Sequence, residues 1–298
     1  MSDLTLTELG VVSAGEHRLS VRAARVEDPA APVMIVLPAM GVPATFYAPF
    51  LRELHEAGLA VVSVDTRGQG AATPRPSRRV RFGYQDLVDD AAAVVDLVER
   101  EFPGAPRFLL GHSLGGQISL LFAAARPGRV RGVALLASGS VWFRSFPGLE
   151  SPKILLASHA VALLSRVFGY WPGQRFGFGG RQPAGVMLDW ARQGRTGRYR
   201  LDGSDLDYET ALRRLNVPLL AVSLDDDEFA PASSVDHLAG KAAAATRTRR
   251  HYSCEIAGAA KLGHFAWVHT SGVLVGWIAE WARAASGRDE PVAEAGRA

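Results

Sequence analysis

RFLLGHSLGGQISLLFAAA, residues 107–125, is the part of this sequence that most clearly indicates its fold. It begins with a short apolar run typical of a buried strand, and residues 114–126 then repeat apolar side chains at helical spacing. Between strand and helix lies G-x-S-x-G, as GHSLG at 111–115. A serine on so sharp a turn presents its hydroxyl above the sheet edge, and small flanking residues let the backbone pass closely. Ser113 is therefore the candidate nucleophile, although ordinary strand-to-helix loops can show the same pattern.

An acid turn follows at the expected place in the chain. A serine hydroxyl needs a histidine base oriented by a carboxylate, and this type of fold orders them serine, acid, histidine. The apolar strand VPLLAVSL (217–224) runs into DDDEFAP (225–231). We favour Asp227, four residues before a proline that opens the next helix. Asp225 and Asp226 stay open as alternatives that cap the turn or face water.

The histidine base must lie in a loop near the end of the chain. His237 falls in a predicted helix and His251 at the start of a predicted strand, both poor places for a mobile base. His269 is expected to begin the final helix. His264 stands in the glycine-preceded loop KLGHF and is the expected base.

Two backbone N–H groups are expected to stabilise a developing oxyanion. One belongs to Leu114, at the N-terminus of the helix after the nucleophile. The other belongs to Met40, in the loop PAMG (38–41) that follows the apolar strand PVMIVLP. That loop can also be a simple proline-glycine turn.

Outward from the serine motif, short β-branched runs alternate with longer helical segments. This predicts an α/β fold with a mostly parallel central sheet flanked by helices. The predicted strands are residues 4–13, 17–27, 32–38, 59–65, 107–111, 130–137, 217–224 and 249–256. The predicted helices are residues 46–57, 84–101, 114–126, 153–168, 232–245 and 270–285.

The alternation breaks over residues 142–214, which are aromatic, Gly-rich and Arg-rich, with a helical patch but no clear strand. We therefore predict a catalytic core from residues 1–141 and 215–285, an inserted helical cap at 142–214, and a disordered tail at 286–298. Most cap aromatics should form the core of the cap. Those expected to face the substrate are Trp142, Phe143, Phe146 and Trp190.

Composition excludes several classes of protein. The 298 residues carry 33 basic and 30 acidic side chains, a near-neutral balance that gives little support for nucleic-acid binding. The single cysteine, Cys254, excludes an internal disulfide and fits a reducing compartment. The N-terminus lacks a leader pattern, and the longest apolar stretch, 154–164, is shorter than the roughly 18 residues of a span. The expectation is a cytoplasmic protein without a membrane or nucleic-acid partner, its oligomeric state left open.

Two local features bear on whether the chain binds other ligands. The loop Gly68-Gln69-Gly70 lacks the third glycine of a dinucleotide site, and no histidine or cysteine cluster has zinc spacing, so neither cofactor nor metal is expected. Four arginines crowd residues 75–81. They form either a solvated loop or a landing patch for an anionic substrate or carrier.

Together these motifs resemble the α/β-hydrolase fold family over about residues 30–285. GHSLGG is similar to the family's nucleophile elbow, SLDDDEFAP to its acid turn and LGHF to its histidine loop. In LPAMGVPATFY (37–47) the chain also resembles a largely uncharacterised bacterial branch related to serine aminopeptidases. Pro38-Ala39 stands where the family usually has His-Gly.

The expected activity is hydrolysis of a carboxylic ester or thioester with a hydrophobic acyl group, through an acyl-enzyme on Ser113. The partner is a small acyl substrate, either free or bound to a carrier. An acyltransferase or a cyclase would use the same acyl-enzyme. A third alternative is a non-hydrolytic binding protein that kept the fold.

Overall fold

The computed structural model describes residues 4–14 and 17–287. Its strands are β1 (Thr7–Ala14), β2 (His17–Ala24), β3 (Val33–Leu37), β4 (Ala60–Asp65), β5 (Arg107–His112), β6 (Gly132–Leu136), β7 (Tyr170–Pro172), β8 (Arg181–Pro183), β9 (Leu219–Leu224) and β10 (Arg247–Tyr252). Its helices are α1 (Ala48–Glu56), α2 (Tyr84–Glu101), α3 (Leu114–Ala125), α4 (Glu150–Phe168), α5 (Ala184–Thr196), α6 (Tyr208–Arg214), α7 (Ala232–Gly240), α8 (Cys254–Ala257), α9 (Gly263–Ala266) and α10 (Gly272–Ser286).

Within these residues, eight strands form one sheet in the order β1-β2-β4-β3-β5-β6-β9-β10. The first two strands pair antiparallel at one edge, and β2 is antiparallel to β4. Along this sheet, every pairing in the order β4-β3-β5-β6-β9-β10 is parallel. The predicted α/β architecture with a mostly parallel sheet is confirmed.

Helices cover both faces of the sheet, which is why its central strands are continuous apolar runs. All residues of β3 and β4 are buried. Helices α2 and α3 pack on one face, and α1 and α10 pack on the other. Because β3, β5 and β9 are parallel, their carboxyl ends meet at one edge, so the loops after these strands are neighbours.

The structure corrects several element predictions. Residues 142–214 contain two strands, β7 and β8, which pair as a short hairpin. Each has only three residues, too few for an alternating pattern to be visible in the sequence. Helix α7 stops at Gly240 rather than at residue 245. Strand β10 ends at Tyr252, because the Ser253 hydroxyl accepts from the Ile256 N–H and starts helix α8.

The helices of the segment predicted as a cap pack in two different places. Helices α4 and α5 pack against each other with the β7–β8 hairpin beside them. Helix α6 instead packs on α3, one of the helices that cover the central sheet. The domain boundaries remain a prediction. Of the predicted tail, Ser286 ends α10, and residues 288–298 lie outside the described residues. Across the described residues, none of the helices combines the length and the apolar character needed to cross a bilayer.

Candidate active site

Ser113 lies at the turn between β5 and α3 with φ 55° and ψ −118°, a conformation that costs a non-glycine residue energy. The turn is held by hydrogen bonds from the Ser113 N–H to the Leu136 carbonyl (3.1 Å) and from Ser138 Oγ to the Ser113 carbonyl (2.5 Å). A Cβ on Gly115 would lie 2.1 Å from the Leu37 carbonyl oxygen, so only glycine lets the turn approach β3. The hydroxyl therefore stands at the carboxyl edge of the sheet.

The Met40 and Leu114 N–H groups are free to bind a ligand. Among the described residues, neither is paired with an acceptor. Leu114 is the first residue of α3, where helix geometry leaves N–H groups without internal partners. Both residues line the same cavity as Ser113. Two such donors beside a nucleophile can stabilise an oxyanion.

The structure brings His264 and Asp227 together. Nδ1 of His264 lies 2.9 Å from both carboxylate oxygens of Asp227, and both side chains are buried. The Phe229 and Ala230 N–H groups donate to Asp227 Oδ1 at 3.0 and 2.8 Å and fix the carboxylate. Because Nδ1–H donates to Asp227, Nε2 keeps its lone pair and can accept a proton. The imidazole is therefore arranged as a base.

His264 lies in the one-turn helix α9 rather than in the predicted loop. Trp267 Nε1 donates to its carbonyl oxygen at 3.0 Å and anchors that turn. His269, predicted to begin the final helix, lies in the 3₁₀ turn Trp267–His269 before α10.

The other two aspartates of the acid turn have other partners. Asp225 accepts from the Cys254 N–H at 2.8 Å and lies 2.9 Å from His251 Nε2; these contacts lower the pKa of Asp225, the backbone bond most. Asp226 is exposed, has a φ of 58°, and contacts Cys254 Sγ. The geometry thus separates the three carboxylates that the sequence leaves as alternatives.

Beneath the site lies a buried pair formed by Tyr47 and His112, the residue before the nucleophile. The Tyr47 hydroxyl lies 2.8 Å from His112 Nδ1. The imidazole of His112 is 4.8 Å from that of His264 between ring centroids. Burial, and then the nearby His264, lower the pKa of His112 well below its usual value. His112 is therefore neutral at physiological pH.

A cavity of about 470 Å³ opens over Ser113 and His264. Its lining is mainly apolar and comes from α4, the hairpin region, the loop that carries Asp227 and helix α9 with His264. Phe146 and Trp190, both predicted to face the substrate, line it. A cavity of this kind suits a hydrophobic group held next to Ser113.

The predictions for Trp142 and Phe143 are wrong, because neither residue lines this cavity. The Val141 N–H donates to Gln193 Oε1 at 2.9 Å, and the chain turns there, so that Val141 faces the cavity. The Trp142 ring instead packs in a tilted arrangement against His237 of α7, with centroids 4.7 Å apart. The Phe143 ring packs against Trp142.

The sequence analysis did not predict several residues that line the cavity. Phe229 lies two residues after Asp227, and Phe265 directly follows His264, so their positions beside these two residues could have indicated them. Phe178 belongs to the aromatic run of the cap. The inner face of α4 contributes residues at helical spacing: Ile154, Ala157, Val161 and Leu164. Among the described residues, no three His, Cys, Asp or Glu side chains gather as a metal site would require.

Comparisons with known proteins bear on this geometry. A family model described as serine aminopeptidase, S33, matches residues 28–174, about half of the chain. Human "Monoglyceride lipase" is 37% identical over 91 residues, which cover 30% of this chain and 29% of that enzyme. "Monoacylglycerol lipase" of Mycolicibacterium smegmatis is 26% identical over 193 residues, covering 59% of this chain and 63% of the relative. Neither alignment reaches two thirds of the relative's length.

Among solved structures, a thermophilic esterase from Thermogutta terrifontis superposes with a TM-score of 0.63. The superposition covers 95% of this chain and all of that chain, at 18% sequence identity. At that level of identity the likeness concerns the fold alone, and it extends over nearly every element described above.

Proposed function

This chain belongs to the α/β-hydrolase family, and we propose that it is a serine hydrolase acting on carboxylic esters or thioesters of a hydrophobic acyl group. The observation that carries the proposal is the shared cavity. Ser113 on its strained turn and His264 held by Asp227 line or border one apolar space, together with two unpaired backbone N–H groups. These groups would supply a nucleophile, a base, an orienting acid and two oxyanion donors at one edge of the sheet.

The proposed reaction begins when Ser113 Oγ attacks the carbonyl carbon and its proton passes to His264 Nε2. The Met40 and Leu114 N–H groups bind the tetrahedral oxyanion, and Asp227 stabilises the imidazolium. Collapse breaks the bond to the alcohol or thiol, which takes the proton from His264. Water then attacks the acyl-enzyme while His264 again accepts a proton, and Ser113 leaves with that proton when the acid product is released.

The substrate class follows from the lining. Residues from α4 and aromatic rings such as Phe178 and Trp190 offer dispersion contacts to an alkyl or aromatic acyl group. The names of the human and mycobacterial relatives suggest monoacylglycerols as first substrates to assay. We therefore propose an ester of an acyl chain as the substrate, with thioesters sharing the same acyl-enzyme.

The test combines labelling and turnover. A fluorophosphonate probe should modify Ser113, as read by mass spectrometry, and the Ser113→Ala variant should neither be labelled nor hydrolyse acyl esters. Ser286→Ala, which alters a serine at the end of α10, is the matched control and should keep both properties. Full activity in Ser113→Ala would exclude the proposal. Product analysis with added alcohol or amine distinguishes a free acid from an acyl-transfer product.

A further inference from the structure

The outer face of α4 carries an exposed apolar stripe. Leu149, at the helix start, is 79% exposed, followed by Leu156 at 73%, Leu163 at 62% and Val167 at 60%. Successive helical residues are about 100° apart, so these four side chains fall within about 40° of one another. We refer to Leu149, Leu156, Leu163 and Val167 as the outer stripe. It runs the length of the helix, about 28 Å for 19 residues.

Packing within the chain does not account for the outer stripe. Other faces of α4 already supply the contacts within the chain, with Val161 buried and Leu164 lining the cavity. A surface helix normally turns polar residues outward, whereas α4 is apolar on both sides. A long exposed apolar row rimmed by polar residues marks a site of interaction with a partner.

The charge around the stripe is mainly basic, and the one acidic side chain of α4, Glu150 beside Leu149, is paired with Lys153 at 2.6 Å. Residues 71–83 and 151–183 contain eight of the chain's 33 basic side chains and none of its 30 acidic ones. We call these two segments the basic surface. They are joined in space, because Arg78 Nε donates to the Phe168 carbonyl oxygen at 2.7 Å at the end of α4. This contact places the exposed arginine cluster of residues 75–81 beside the end of the outer stripe.

We propose that the outer stripe and the basic surface dock this protein on an anionic lipid bilayer. The stripe lies on a single convex helix, and a partner must accept it along its whole length. A fluid bilayer offers acyl chains for the leucines and anionic headgroups for the arginines at once. The helix would lie in the plane of the membrane surface. The sequence analysis expects no membrane partner because it finds no membrane-spanning segment, and that reasoning does not address binding to the surface.

The inference is independent of the proposed function, because binding requires no turnover. On the bilayer, the inner face of the same helix would keep the cavity next to the lipid. An acyl chain leaving the membrane would then have a short path to Ser113. This short path would be a consequence of docking and is not needed for it. The experiment therefore uses the Ser113→Ala variant as well as the wild type, so that binding is measured with and without the proposed nucleophile.

Vesicle co-sedimentation tests the proposal. The full chain is mixed with vesicles of phosphatidylcholine alone or of phosphatidylcholine with phosphatidylglycerol, and bound protein is measured in the pellet. We expect binding to the mixed vesicles, weakening as salt is raised, with little binding to phosphatidylcholine alone. Ser113→Ala should bind as the wild type does. Absence of binding to the mixed vesicles would overturn the proposal.

Variants separate the two components of the surface. Leu156→Glu should lower vesicle affinity at least ten-fold, because it removes a leucine from the bilayer and adds repulsion. Leu156→Lys should lose less affinity than the glutamate variant. The combined change Arg75→Gln, Arg79→Gln and Arg81→Gln should also cost at least ten-fold, since each surface arginine contributes about five-fold. Arg78 is left intact because it holds the end of α4.

Controls keep the result interpretable. Val273→Glu changes an exposed valine on α10 and should leave binding unchanged. Each variant should unfold at the wild-type temperature and hydrolyse a short soluble ester at the wild-type rate. If the protein formed a dimer, and Leu156→Glu and Leu156→Lys disrupted that dimer equally, the stripe would be a contact with a second copy of the chain. That result would overturn the proposal. Capture of an acidic protein in preference to anionic vesicles would overturn it too.

Discussion

The hydroxyl of Tyr47 lies 2.8 Å from Nδ1 of His112 and 2.9 Å from the Ala39 N–H. The phenol oxygen accepts from the Ala39 N–H, and the hydroxyl pairs with Nδ1 of the neutral imidazole. Ala39 precedes Met40, and His112 precedes Ser113, so one buried hydroxyl joins the segments that carry the proposed oxyanion donor and the proposed nucleophile. Because burial raises the pKa of Tyr47, the phenol stays protonated and the bridge persists across physiological pH.

We predict that Tyr47→Phe lowers kcat of ester hydrolysis by about ten- to one-hundred-fold. The substitution leaves the buried Ala39 N–H and His112 Nδ1 without a partner, which costs roughly 1–3 kcal/mol and frees the loop that carries Met40. Because the oxyanion forms only in the transition state, KM should change little. Steady-state kinetics on a soluble chromogenic ester would separate the two constants.

Tyr199→Phe is the matched control for this prediction. Tyr199 is also buried, yet within the described residues its hydroxyl has no hydrogen-bond partner. Its removal should therefore leave kcat unchanged and leave stability equal or slightly higher. A Tyr47→Phe enzyme with wild-type kcat, or with a loss confined to KM, would show that the phenol does not position the oxyanion loop.

A second prediction concerns the three aspartates of the acid turn. Asp227→Asn should lower kcat by about 10³- to 10⁴-fold, because an amide cannot stabilise the imidazolium and favours the wrong tautomer of His264. Asp225→Asn and Asp226→Asn should keep activity within a few-fold, since these carboxylates contact His251, the Cys254 N–H and the Cys254 thiol instead. Kinetics of the three single variants on one ester would compare them. An equal loss in Asp225→Asn would reassign the acid.

The parts of this molecule that the sequence could predict are those that depend on neighbours along the chain. Helix α2 has the predicted bounds, because apolar spacing and the Pro103-Gly104 stop are both local. The turn at Ser113 is also local, since the glycines that it needs are within two residues. Asp227 could be favoured by its distance from Pro231, although only the hydrogen bonds to His264 distinguish it from its neighbours.

The parts that could not be predicted depend on contacts between distant segments. Tyr47 and His112 are 65 residues apart, and no pattern in either segment links them. The direction of the Trp142 side chain depends on Gln193 of helix α5, whose Oε1 accepts from the N–H of the preceding residue, Val141. The sequence marked the region as aromatic, but choosing the rings that face the cavity required the path of the chain.

A third prediction concerns pH and the contact between α5 and α2. The buried carboxylate of Asp189 accepts from the Tyr84 N–H at 2.9 Å and from Arg192 at 3.1 Å. Burial raises the pKa of Asp189 to about 6, with the hydrogen bond from Tyr84 and the charge of Arg192 opposing it. The folded state then binds this proton more tightly than the unfolded state. The stabilisation is complete below about pH 4 and is lost as pH rises through 6.

Asp189→Asn should remove that pH dependence while keeping an oxygen for the Tyr84 N–H. The free energy of unfolding of the variant, relative to wild type, should therefore rise by up to about 3 kcal/mol between about pH 4 and pH 7. Urea unfolding at several pH values would measure it. A constant difference between Asp189→Asn and wild type would contradict the shifted pKa.

The last prediction concerns the depth of the cavity. Ala157 lies on the inner face of α4 and lines the cavity, so Ala157→Phe would place a ring in the space proposed for the acyl chain. We expect kcat/KM for long-chain esters to fall by about ten-fold or more, because the ring displaces methylenes that each contribute about 0.8 kcal/mol when buried. Short esters, which need only the region near Ser113, should change less than about two-fold. A chain-length series of chromogenic esters would measure this.

Leu156→Phe is the control for the cavity prediction, because Leu156 neighbours Ala157 in the chain but belongs to the exposed outer stripe. It adds a ring of the same kind to the same helix without entering the cavity, so its chain-length profile should match the wild type. If Ala157→Phe lowered kcat/KM equally for short and long esters, the ring would be disturbing Ser113 or the helix itself. The acyl chain would then have to lie elsewhere, and the cavity would not set the substrate preference.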